Sequence, residues 1–279
     1  GAVRLDNVKC FMLTLAVLDI GELTAQQLEC QGEFGLGGSF AQPVPGGTIQ
    51  IRDNLDITSA KAATVLMMGC TVGRDLTLST MQTDLLQLSS VRAAVWMVGA
   101  DVRNMARFVG VAVTGEISCA SVHIRGQFAF GDDSWCRELS FNGSDIGSML
   151  IGTCEQLDDG VVVQARIGSL YAVDSTFRSY VQFTRTVLES SELGSVTFQN
   201  CQFLSKFAMW TSFTQVSGSE GVEYRYDGWS VDRSVTIAGS LDLIDCRISG
   251  DLDLTRLNVV ERNAEPAAIR LDRTVVGGA

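Results

Sequence analysis

The chain has 279 residues, 46% of them apolar and 19% charged, and its 32 acidic against 21 basic side chains give a net charge of −11. That apolar content excludes a disordered chain, and no apolar run reaches the roughly 18 to 20 residues of a membrane span. The negative balance excludes a surface that grips phosphate backbones across the whole molecule, so no nucleic-acid partner is expected. Twenty-eight glycines against three prolines, with Val, Ile, Phe and Thr scattered throughout, favour strands over helices.

A short repeat starts at the third residue. Val3, Leu5, Val8 and Cys10, then Leu13, Leu15, Leu18 and Ile20, place apolar side chains at i, i+2, i+5 and i+7. Period two within a pair predicts a short strand with one buried face, and the jump of three predicts a corner. From Leu55 the pairs begin at Val65, Leu76, Leu86, Val95, Ala106, Ile117, Phe128, Leu139, Met149, Val161, Leu170 and Val181, about 10.5 residues apart. The pattern returns at Val196, Phe198, Cys201 and Phe203, at Leu241, Leu243, Cys246 and Ile248, at Leu252 to Val259, and at Ile269 to Val276. Each step is too short for a helix and a strand together. Two steps make four faces and four corners in about 21 residues, the size of one coil of a parallel β-solenoid stacked at about 4.8 Å. The reading is all-β: one solenoid domain over 1–279, twelve to thirteen coils, a rod of about 55 Å.

The register lengthens in three places, giving expected insertions near 38–48, 188–195 and 210–223. The first holds Pro43 and Pro45, and Pro266 also falls between fitted steps. Proline donates no ladder hydrogen bond, so its confinement to breaks agrees with the register. Outward i+1 positions are mostly polar, such as Thr77, Ser118, Ser140, Thr197 and Asp242; Leu66, Trp96, Leu150, Val162 and Tyr171 are the exceptions.

The stretches Ala100-Asp101-Val102-Arg103-Asn104, Ser144-Asp145-Ile146-Gly147-Ser148 and Ser175-Thr176-Phe177-Arg178-Ser179 resemble the unit of pentapeptide-repeat proteins: a small residue, a polar one, then a central apolar one. The resemblance implies a right-handed quadrilateral β-helix. Among that family's roles are acidic rods that mimic DNA and bind topoisomerases, and secreted effectors.

Candidate sites are few. Cys70, Cys154, Cys201 and Cys246 occupy i+5 slots and read as small inward packing groups; with no CxxC or zinc-spaced Cys/His cluster, no metal and no cofactor are expected. His123 stands between inward Val122 and Ile124 and is read as outward and non-catalytic. Asp132-Asp133, Asp158-Asp159 and Glu189/Glu192 are carboxylates at corners, read as solvated turns or as acid–base pairs of a polysaccharide-cleaving β-helix. Trp210 and Phe213 lie in the third insertion and are candidate binding residues, whereas Tyr224, Tyr226, Trp229 and Val231 fit the inward pattern. Leu150 and Tyr171, read as neighbours on adjacent coils, form a candidate apolar contact patch with Asp132 and Asp133 as further binding candidates.

The expected function is a non-enzymatic scaffold or protein-interaction module presenting an acidic rod, with DNA mimicry as a narrower variant and a carbohydrate-active lyase or hydrolase as the alternative. A protein partner and end-to-end self-association are expected, with no membrane span. The chain reads as cytoplasmic, or else as a secreted effector or part of a larger surface protein. Starting Gly1-Ala2 without a signal pattern, it also reads as a trimmed piece.

Overall fold

A computed structural model describes residues 1–16, 18–37, 49–131, 134–152, 165–183, 192–209, 214–218, 221–225, 235–254, 257–260 and 268–277. Among them the chain is all-strand, and no helix is long and apolar enough to cross a membrane. Two parallel sheets of 15 strands each carry the fold, an arrangement consistent with a β-solenoid. The first turn of chain shows the unit: strands Ala2–Asp6, Lys9–Cys10, Leu13–Leu15 and Leu18–Ile20, the outer two joining one sheet and the inner two the other.

The inward positions stack without slipping face. One column runs Leu55, Leu76, Val95, Ile117, Leu139, Leu170, Val196, Leu241 and Ile269; another runs Ala106, Phe128, Met149, Val181, Phe207 and Leu252. Side chains of period two leave a parallel strand no alternative: a one-residue slip would turn every inward Leu and Phe to water. The resulting core is one continuous cluster, fully buried from Leu23 to Ile248. Its aromatic part runs along the axis. Phe128 meets Phe141 edge-on at 5.0 Å, Phe177 stacks on Phe203 at 5.1 Å, and Phe198 meets Phe203 and Phe207 at 5.2 and 5.4 Å. Val3, Leu5, Val8 and Cys10 are only partly buried, and Ile269 and Leu271 are exposed, because an end rung is stacked on one side only.

The corners have their own chemistry. Asn7, Gln27, Ser59, Thr80, Gly99, Ser121, Gly143, Asp174, Asn200, Asp245 and Arg273 all adopt φ between +48° and +62° and form one column. A left-handed turn costs a residue with a Cβ roughly 1–2 kcal/mol. Each N–H in this column from Asn7 to Asp245 donates across the rung gap, as from Ser121 to Asn142 O at 2.8 Å, so the strain is offset by a ladder that never breaks at the bend. The next residue points inward and ranges in size from Ala60, Ala100 and Ser144 to Leu28 and Met81, all buried. Where it is polar it satisfies itself against backbone: Ser144 donates to Cys119 O at 2.9 Å, Ser175 to Val173 O at 2.9 Å, and the Cys201 and Cys246 thiols to Ala172 O and Phe198 O. That accounts for Cys201 and Cys246; Cys70, also buried, follows the left-handed Gly69 at another corner and its thiol faces Met68 O at 3.6 Å, and Cys154 lies outside the described residues.

Four expectations need correction. First, the even spacing expected through Val161 does not hold: Val161 lies outside the described residues, while Leu139 pairs with Leu170 and Met149 with Val181, so the register lengthens between 152 and 165. Second, Glu192 to Ser195, placed in an insertion, pair with Arg166 to Ser169 in the Glu192–Gln199 strand. Third, the backbone at Tyr224 does not join the repeat: it pairs with Gln215 in an antiparallel ribbon of Thr214–Gly218 and Gly221–Arg225, separate from the parallel sheets, and Tyr226, Trp229 and Val231 lie outside the described residues. Fourth, Ser118, Ser140 and Asp242, though outward, are buried. Ser118 and Ser140 are short hydroxyls between Trp96 and Tyr171 in the same column, and Ser140 bonds Glu116 at 2.6 Å and Ser118 at 3.2 Å. Leu66 is likewise outward in register yet fully buried.

Candidate functional site

Three consecutive strands leave the left-handed corner at the same height on their rungs: Asp101–Val109, His123–Gly131 and Asp145–Ile151. Their first residues are outward and pair in register, Asp101 with His123 and His123 with Asp145. Ala100, Val122 and Ser144, the small corner residues before them, are buried, and Val102, Ile124 and Ile146 after them are core. The backbone thus presents an imidazole between two carboxylates at one-rung spacings of about 4.8 Å.

Two arginines complete a shallow cleft of about 500 Å³ lined by Asp101, His123, Arg125, Asp145 and Arg178. Arg125 donates through Nη2 to Asp101 Oδ2 at 3.1 Å. Arg178, four residues beyond the left-handed Asp174 on the following rung, grips Asp145 with both arms: Nε to Oδ1 at 2.7 Å and Nη2 to Oδ2 at 2.5 Å. This fork-on-carboxylate geometry is the strongest form of exposed ion pair, and it holds the Arg178 guanidinium still more firmly protonated than usual. His123 Nδ1 lies 3.9 Å from Asp145 Oδ2, too far for a hydrogen bond. Gly147 makes room at this corner. A Cβ there would lie 2.1 Å from Arg125 O and 2.2 Å from Gly126 O, so any side chain would push neighbouring rungs apart.

The cleft belongs to a wider pattern. Arg52 pairs with Asp19, Arg74 with Asp53, Arg103 with Asp84, Arg273 with Asp245 and Lys9 with Glu29. Opposite charges one rung apart mark these walls, and like charges are the exception. Glu116 and Glu138 are the instance among described partners: they sit directly across a rung, and burial followed by the Glu116 charge pushes the Glu138 carboxyl up. Among the described residues no group of three or more His, Cys, Asp or Glu could hold a metal ion.

The residues singled out from sequence are mostly elsewhere. Trp210, Phe213, Asp132, Asp133, Asp158, Asp159 and Glu189 lie outside the described residues. Leu150 and Tyr171 are both outward but not neighbours, which corrects the expected patch. Leu150 is half-buried and pairs with Ala129 and Gln182 in one sheet; Tyr171 is exposed and pairs with Ser140 and Thr197 in the other. The cause is the break between 152 and 165, which moves Tyr171 half a turn from where an uninterrupted repeat would put it. His123 is outward, as read. Asp101, Asp145 and Arg178 were missed as a group, although each stands inside the five-residue stretches quoted above. The signal was there in the polar second position of the first two units and the fourth of the third; which ones stack could not be counted across the unseen break.

Compared with family models, curated proteins and solved structures, the chain finds no match.

Proposed function

We propose that the chain is a right-handed quadrilateral β-helix of about 21 residues per coil that serves as a non-enzymatic, protein-binding scaffold. The coil size is supported by partner spacings between Leu55 and Leu139, such as the 21 residues separating Ser59 from Thr80, and the corners by the left-handed column above. The pentapeptide-repeat resemblance agrees with this geometry: Ala100, Ser144 and Ser175 are buried corner residues, Asp101 and Asp145 are outward, and Val102, Ile146 and Phe177 are core.

The observation that carries the scaffold reading is the mutual neutralisation of the charged walls. In the cleft each carboxylate is already held by an arginine, which leaves a rigid charged surface and no free acid–base pair. Rigid walls of fixed charge give specificity and on-rate to protein association. The same alternation of sign weighs against DNA mimicry, which needs unbroken acidic rows. With an overall charge of −11 the partner is neutral or basic. The carbohydrate-active alternative keeps one observation in its favour, the convergence of Asp101, Asp145, His123 and two arginines in one cleft.

A charge swap separates the two. Asp145→Arg combined with Arg178→Asp retains the ion pair while reversing the pattern. A scaffold loses a partner found by in-cell crosslinking from the cleft and keeps its fold. Turnover of a polysaccharide by the wild-type chain, abolished by Asp145→Asn, overturns the scaffold reading.

A further inference from the structure

The strands Lys9–Cys10 and Glu29–Leu36 pair in register, Lys9 with Glu29 and Cys10 with Cys30. The two cysteine Cα atoms are therefore one rung apart, about 4.8 Å, inside the 4.4–6.8 Å window of a disulfide. Their Sγ atoms stand 3.0 Å apart. We propose that Cys10 and Cys30 are the chain's site of reversible thiol oxidation, forming a cross-rung disulfide that staples its first two rungs.

Position makes the site selective. Among the described cysteines, Cys10 alone is partly exposed; Cys30, Cys70, Cys119, Cys136, Cys201 and Cys246 are buried. Cys201 and Cys246 also occupy consecutive rungs, but each thiol is engaged with backbone carbonyls at 3.3–3.4 Å beneath the wall. An oxidant in solution meets Cys10 first.

The chemistry is thiol–disulfide exchange with a small disulfide such as oxidised glutathione. The Cys10 thiolate attacks one glutathione sulfur and expels the other as a thiolate, giving a mixed disulfide. Cys30 then loses its proton to water, attacks Cys10 Sγ and expels the second glutathione. Two protein thiols lose two electrons and two protons, and one glutathione disulfide becomes two thiols. Burial, then the neighbouring Cys10, pushes the Cys30 thiol up to about 12, so Cys10 is the attacking sulfur and Cys30 the resolving one. The Lys9–Glu29 ion pair at 2.8 Å, on the same two rungs, keeps the sulfurs in register.

The Phe11–Met12 corner that follows Cys10 is exposed. Closing the 20-residue interval between Cys10 and Cys30 limits local opening of the two rungs it joins.

The test uses the 279-residue chain, fully reduced, then incubated with oxidised glutathione. Intact mass should fall by two hydrogens without a retained glutathione, non-reducing peptide mapping should find the Cys10–Cys30 link, and a phosphine reductant should reverse both. Proteolytic cleavage within residues 1–30 should slow several-fold on oxidation. The Cys30→Ala variant should instead hold a stable glutathione adduct on Cys10. Unchanged mass, a glutathione that persists on wild-type Cys10, or a link between any other cysteines overturns the proposal. Mapping of the wild-type chain decides this without any variant having to fold.

Discussion

Replacing Phe198 by Asp while making the same change at Gln199 tests the register at adjacent residues of one strand. Phe198 is fully buried; its ring lies 5.8 Å from Phe177, 5.2 Å from Phe203 and 5.4 Å from Phe207, and its backbone pairs with Ala172 and Leu243 on the flanking rungs. Deleting a buried ring costs about 3–5 kcal/mol through lost transfer energy and the cavity left behind. A carboxyl placed there has no partner and adds about 1–3 kcal/mol even when it stays protonated. The sum, about 4–8 kcal/mol, rivals the whole stability of many domains. Gln199 is exposed, so its change to Asp should stay within about 0.5 kcal/mol. Thr197 is the poorer control, since it pairs directly with the buried Asp242 and an aspartate there would create a like-charge contact. Urea denaturation followed by circular dichroism measures the difference. Because each rung touches only its neighbours, hydrogen exchange should rise first in the rungs that hold Ala172, Phe203 and Leu243. Equal shifts for the two variants, or a larger one for Gln199→Asp, would refute the inward assignment.

Other outcomes follow from single contacts. Gly147→Ala should destabilise by about 1–3 kcal/mol, because its Cβ meets two carbonyl oxygens near 2 Å. Gly143→Ala, with open space around the new atom but φ of +60°, should cost only about 1 kcal/mol; chemical denaturation of the pair separates clash from backbone strain, and equal costs would count against the close rung approach at Gly147. Glu138→Gln should raise the melting temperature at pH 7. The Glu138 carboxyl is pushed above its usual 4.5, so the folded state holds that proton more tightly, and the stability this lends is fully present below pH 4.5 and lost as pH rises through the raised value. The gain of the Gln variant should therefore vanish in a melting series carried to pH 4; a gain independent of pH would mean that neither burial of the charge nor repulsion from Glu116 is its source. Breaking the exposed Arg273–Asp245 pair with Arg273→Ala should leave the denaturation midpoint at pH 7 almost unchanged, and a large shift would mean that the pair holds the corner.

The sequence by itself determined the class of fold and most of the inward set. An apolar period of two interrupted by jumps of three is a local pattern, and it marks Leu76, Ile117, Phe198 and Leu241, all fully buried, as the inward side of short strands. Inward corner residues such as Ala100, Ser144 and Cys201 were legible in the same way, since the i+5 slot recurs with the rest of the inward pattern. Which outward residues meet was decided only in three dimensions. Outward neighbours belong to different rungs, so their pairing depends on the length of every intervening segment. The break between 152 and 165 sends Tyr171 to Ser140 and Thr197 instead of Leu150, and it brings Arg178 across to Asp145 from 33 residues away. The left-handed corner column was also hidden, because Asn, Ser, Thr, Gln, Asp and Arg all fill it, and from Asn7 to Asp245 each is held by a backbone hydrogen bond to the next rung and not by a preference of its own side chain. Local patterning selects what a residue faces; only the stacking of rungs selects what it touches.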